Sequence, residues 1–144
     1  MPARQLMRLR GSSFGALTML ILQFAIGMVV NLYVTVPASD QGSGFFAAIG
    51  KALSQGPAAL ATHATLGLLL VLAAIALAAR AVQVRHAPTI VLSSVGLLAI
   101  IAAAVNGARF VSDGGANNAS LAMALATAVA MICYAACFWL EEKQ

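Results

Sequence analysis

The sequence predicts an all-α integral membrane protein, an up-down bundle of four transmembrane helices with a short interfacial helix in its first outer loop. Three observations lead there. Of 144 residues, 62% are hydrophobic and only 8% are charged, whereas a water-soluble domain carries about 25% charged residues. The mean hydropathy is +0.95. The apolar residues also fall into four runs, each long enough to cross a bilayer core of about 30 Å at 1.5 Å per helical residue.

The first run, positions 14–36, follows a basic segment with Arg4, Arg8 and Arg10 and ends at Pro37. It exceeds the apolar core of a signal peptide, about 7–15 residues, so a retained helix is expected. Proline then removes a donor from the helical ladder. Positions 37–57 form the longest polar connection. Asp40, Gln41, Gly42, Ser43 and Gly44 predict a turn. Phe45, Phe46, Ile49 and Leu53 then share one side of a short amphipathic helix suited to the membrane surface.

The second span is expected at 58–79, the third at 88–110 and the fourth at 119–140. Arg80, Arg85 and His86 make the tight second connection. Pro88 opens the third span at its first turn, where a missing N–H costs nothing. Asp113, Gly114 and Gly115 mark the third connection, and Asn118 is expected to cap the fourth helix. The whole chain, 1–144, reads as one transmembrane domain.

Charge placement predicts orientation. Arg4, Arg8, Arg10, Arg80, Arg85 and Lys143 share one side, and Lys51 and Arg109 the other. The positive-inside rule then puts both termini in the cytoplasm, with the chain in a cytoplasmic (inner) membrane. Tyr134 and Trp139 near one face, and Tyr33, Phe45 and Phe46 near the other, suit interfacial anchoring. The net charge of +4 sits at the ends of apolar runs, so no basic stripe for nucleic acid is formed. The lipid bilayer is the expected surrounding, with a second copy or another membrane protein as partner.

Helix association in lipid relies on close packing over small residues and on polar contacts. Gln23, Gly27, Asn31 and Thr35 recur every fourth residue in the first span. His63, Gly67 and Ala74 share a face in the second, and Gly96, Ala99, Ala103, Asn106 and Gly107 in the third. Ser120, Ala124, Thr127 and Met131 do so in the fourth. Counted from the run ends, Asn31, His63, Asn106 and the start of the fourth span reach one depth, roughly 5–8 Å below the outer surface. Arg109 stands a turn above Asn106. The inner half is expected to be almost wholly apolar.

An ionisable side chain in a span marks a functional-site hypothesis, and His63 is that residue. Three readings are open for it: a structural histidine bonded to Asn31 or Asn106, a ligand for haem or a metal, or a proton-carrying or substrate-binding group. Met123, at similar depth, is a candidate second haem ligand. Arg109 suits an anionic group or snorkels to the interface. Cys133 and Cys137 read as buried small apolar residues. The spans hold no carboxylate for a proton relay, and no phosphate loop, HExxH or CxxC occurs.

The segments LQFAIGMVVNLYVTVP, HATLGLLLVLAA and VNGARFV resemble small four-helix membrane proteins of bacteria. More distantly, the layout is similar to one four-helix half of haem A synthase and to b-type membrane cytochromes. That likeness implies His63 as a haem b ligand on the second span. Asn118 and Ser120 stand where its partner histidine would be. Three functions are therefore carried forward: a non-enzymatic accessory subunit or assembly partner, a haem-binding or redox-linked protein using His63, and a quinone, lipid or small-molecule site lined by Asn31, His63, Asn106 and Arg109.

Overall fold

In the computed structural model, residues 3–142 are described, with side chains from Met7 to Leu140. Lys143, counted above with the basic residues, lies outside them. Five α-helices follow in order: α1 (Ala3–Tyr33), α2 (Phe45–Ser54), α3 (Ala58–Val84), α4 (Ala87–Ser112) and α5 (Asn117–Glu142), with one 3-10 turn at Ala38–Asp40. The four long helices are each long and apolar enough to cross a membrane. Each packs on its chain neighbours, and α1 closes the ring against α5. The short α2 lies across one end, against α3 and α4. That end is called here the α2 end, and the end where α1 begins and α5 finishes the terminal end.

The ends of the helices have local causes. α1 stops at Tyr33, earlier than the apolar run, and Val36 stands before Pro37, which disfavours helical backbone there. α3 closes on Arg85, held in the left-handed region at φ 57°, so that Arg85 and His86 alone turn the chain into α4. α4 runs on to Ser112 and ends in a glycine cap. Gly114 takes φ +67°, Gly114 N–H donates to Val111 O, and Gly115 N–H donates to Phe110 O at 2.7 Å. α5 starts at Asn117, so Asn118 lies inside its first turn and not at the cap position expected of it.

The core has two parts. Toward the terminal end, Leu9, Ala16, Leu20, Leu70, Ala74, Leu77, Ile100, Ala130 and Tyr134 form one buried cluster. Toward the α2 end, Val30, Val36, Ala48, Ala52, Leu60, Ala108, Phe110 and Val111 belong to another. Tyr134 corrects the sequence reading: it is 0% exposed and packs in the core, with no place at the membrane interface. α5 continues two turns beyond it. On α4, a Cβ at Gly96 would come within 2.9 Å of its ring. Nor is the terminal half wholly apolar, since Ser13, Thr89 and Ser93 are buried there. Trp139, Tyr33 and Phe46 are exposed, as expected of interfacial anchors.

α2 turns its small residues inward. Ala48 and Ala52 are buried, while Phe46 is 85% exposed. Its connection is tied down at two points. Gly42 N–H donates to Ser112 O at 2.8 Å, at the end of α4. Lys51 donates to Ser39 O and stands 4.0 Å from the Asp40 carboxylate, which is 1% exposed and also accepts from Ser39 Oγ at 3.1 Å.

Candidate functional site

The site begins with a repeat of spacing on two antiparallel helices. On α1, Gln23 is followed four residues later by Gly27; on α3, His63 is followed four residues later by Gly67. Side chains on a helix lean toward its N-terminus. In an antiparallel pair the two polar side chains therefore lean past each other, each toward the other helix's glycine. The His63 ring lies against Gly27, where a Cβ would meet Cε1 at 2.9 Å. The Gln23 amide lies against Gly67, where a Cβ would meet Nε2 at 3.1 Å.

Hydrogen bonds fix the orientation of both groups. Gln23 Nε2 donates to His63 O at 2.8 Å and lies 3.3 Å from His63 Nε2. An amide oxygen could not face that carbonyl, so the nitrogen does, and Nε2 of the ring is its bare acceptor. The ring proton then sits on Nδ1. Gln23 Oε1 and His63 Nδ1 are both buried and find no hydrogen-bond partner among the described residues. A buried donor or acceptor without a partner costs about 1–3 kcal/mol.

Beside this pair lies a cavity of about 130 Å³ in the α2 half of the bundle. Gln23 and His63 line it. So do Gly107, Ala103, Ala104, Ala108 and Ala124, whose short side chains leave the space open. Ile49 of α2 and Met123, Ser120 and Thr127 of α5 also line it. Thr127 is committed to its own helix, donating to Met123 O at 2.8 Å. Phe24, Met28 and Leu68 touch the cavity with one part of their side chains and are exposed with another. The cavity is thus partly open to the outer surface beside these three side chains.

The residues expected to gather around His63 are placed differently. Its hydrogen-bond partner is Gln23, neither Asn31 nor Asn106. Asn31 is half-buried and does not line the cavity. Asn106 turns back on its own helix, its amide donating to Ala102 O at 2.8 Å. Arg109 is exposed and borders a separate cleft with Ser43, Phe45, Val105, Ala108 and Ser112. Met123 does line the cavity, and a Cβ at Gly107 would come 3.4 Å from its sulfur. Gln23 was visible in the sequence as a member of the first-span stripe, and its four-residue spacing to Gly27, matching His63 to Gly67, was the available signal.

The residues present do not fit a haem. An engineered apolar cavity of about 150 Å³ takes one benzene ring, so a space of this size has no room for a tetrapyrrole. His63 Nε2 is taken up by the Gln23 amide. Among the described residues, no group of three or more His, Cys, Asp or Glu is placed to hold a metal ion. Cys133 and Cys137 are buried, and no disulfide joins them. The chain is a small membrane protein of four candidate spans; no family model matches it, and comparison with curated proteins and with solved structures finds no match.

Proposed function

We propose that this protein binds a small, largely apolar molecule from the membrane, in the α2 half of its bundle. One observation carries the reading: a cavity of about 130 Å³ is lined mainly by apolar side chains, with Gln23, His63, Ser120 and Thr127 as its few polar members. Binding pockets are mostly apolar with a few convergent polar groups. This is the small-molecule reading of the sequence, with Gln23 in place of Asn31 and Asn106. Arg109 belongs to the rim of the α2 end. The role is binding, with no catalytic residue assigned.

The positive-inside rule orients the bundle with its terminal end, bearing Arg8, Arg10, Arg80 and Arg85, in the cytoplasm. The protein would then sit in a cytoplasmic membrane with the cavity in the outer leaflet. The accessory-subunit reading has less support. It rested on small-residue faces that could receive a partner, and several of these are used within the chain, Gly27 against His63, Gly67 against Gln23 and Gly96 against Tyr134.

Toluene is the test molecule for the site, since it has the size of one ring and no polar group. It should raise the unfolding temperature of the detergent-purified protein and leave that of Ala124→Leu, which fills the cavity, unchanged. No shift in the wild-type protein would refute the reading. A Soret band in protein from haem-replete cells would restore the haem alternative.

A further inference from the structure

The cleft at the α2 end, separate from the cavity, is bordered by a cation that has no partner among the described residues. We infer that this cleft seats an anionic phospholipid, with the phosphate against Arg109 and Ser112 and an acyl chain running along α4. The cleft measures about 470 Å³ and lies between the start of α2 and the end of α4, lined by Ser43, Phe45, Val105, Ala108, Arg109 and Ser112. Ligand sites commonly measure about 300–1,000 Å³.

Charge gives the phosphate. Lys51, also at this end, is used within the chain: it donates to Ser39 O beside the Asp40 carboxylate. Arg109 makes no hydrogen bond or ion pair among the described residues, and Asp113, one turn further on, is not within salt-bridge distance of it. Ser112 stands three positions from Arg109 on the same face of α4. Ser54, Thr62 and Thr65 each donate to the carbonyl four residues back in their own helix. The Ser112 hydroxyl has no such bond and no other partner among the described residues. A guanidinium presents a planar fork of donors that matches phosphate oxygens, and the free hydroxyl adds one more donor. Ser43 is committed elsewhere, donating to Asp40 O at 2.7 Å.

Position gives the lipid. Arg109 lies three residues before the end of a helix long enough to cross a membrane, which is the depth of the head groups. Phe45, Val105 and Ala108 make the rest of the cleft apolar, a surface from which a free anion gains nothing. From Arg109, Val105, Ile101 and Leu98 follow down α4 at steps of four, four and three, so they share its face. Ile101 is 41% exposed and Leu98 65%, which leaves an apolar track for the chain. An anionic head is favoured because Arg109 is uncompensated, whereas a zwitterionic head brings a cation of its own to the same place.

The experiment offers the full chain in detergent dioctanoyl phosphatidylglycerol or dioctanoyl phosphatidylcholine at matched mole fraction. Native mass spectrometry reads the fraction of protein carrying one lipid. The wild-type protein should bind phosphatidylglycerol about fivefold more tightly than phosphatidylcholine, the upper end for an exposed charge pair. Arg109→Gln should bring the two lipids to equal binding. Arg85→Gln, which removes the same charge at the terminal end, should leave most of the preference. Equal binding of the two lipids by the wild-type protein overturns the inference, and so does an equal loss in both variants, which would report net charge alone. Displacement of phosphatidylglycerol by inorganic phosphate at equal concentration also overturns it, marking a site for the free anion. Should Arg109→Gln not fold, Arg109→Lys replaces it: the charge stays and the fork is lost, so an undiminished preference sinks the inference. The cavity and its toluene test stand or fall separately.

Discussion

Tyr134 and His63 are both rings set against a glycine on a neighbouring helix, Gly96 and Gly27, at nearly the same 2.9 Å clearance for an added Cβ. Tyr134 closes its half of the bundle, and His63 leaves a cavity beside it. The difference lies in what surrounds each ring. Tyr134 is fully buried among Leu77, Ile100 and other branched side chains of the terminal cluster. His63 faces alanine and glycine at Ala103, Ala104, Gly107 and Ala124. A glycine notch lets a ring in; the size of the next residues decides whether space remains.

The comparison can be broken most severely at Tyr134. Tyr134→Ala removes the largest fully buried side chain and should cost about 3–5 kcal/mol, read as a loss of unfolding free energy in mild detergent with added denaturant. A smaller loss would mean that the terminal half collapses around the gap. Next comes a matched pair on α5. Ala130→Leu overpacks a site with no exposure and should cost about 1–3 kcal/mol. Ala124→Leu enters the cavity and should be neutral or stabilising. The same sign for both would erase the distinction between the halves.

Gln23→Leu should cost about 1 kcal/mol, the size of an interhelical hydrogen bond in a membrane protein, and should raise proteolytic nicking of the α1–α3 connection very little. The smallest effect is expected from Tyr134→Phe. The tyrosine hydroxyl is buried without a partner among the described residues, so its removal should change stability by under about 0.5 kcal/mol or increase it slightly. A loss above about 1 kcal/mol in the same unfolding assay would reveal a partner for the hydroxyl.

Much of this was legible in the residues. Four apolar runs separated by Pro, Gly and charged positions specify four helices, because a bilayer leaves the backbone few other ways to satisfy its hydrogen bonds. His63 stood out for the same reason, as a costly group in an apolar span. Its partner was misplaced because depth was counted from the ends of the runs. Gln23 lies ten positions from the end of α1, and His63 only five from the start of α3. The apolar run ends at Val36, whereas α1 ends at Tyr33; Gly27, which lies against the His63 ring, stands six positions from that end, and Gln23 reaches His63 from one turn further along the helix. Tyr134 was misplaced by the same kind of count, taken from an apolar run that ended before the helix did. What it packs against depends on Gly96, some forty positions away, a pairing that hydropathy along the chain does not encode.

The Gln23–His63 contact also answers a problem of alignment. Arg85 and His86 alone join α3 to α4, and positions 113–116 join α4 to α5. Connections that short set the vertical position of one helix against the next. Positions 34–57 make a longer connection between α1 and α3, so the backbone fixes the relative height of these two less tightly. A slide of one turn would move the histidine ring off Gly27 and the amide off Gly67, and would strip His63 O of its donor. The reciprocal pair thus works as a ratchet stop, setting the height of α1 against α3 where the backbone connection is longest.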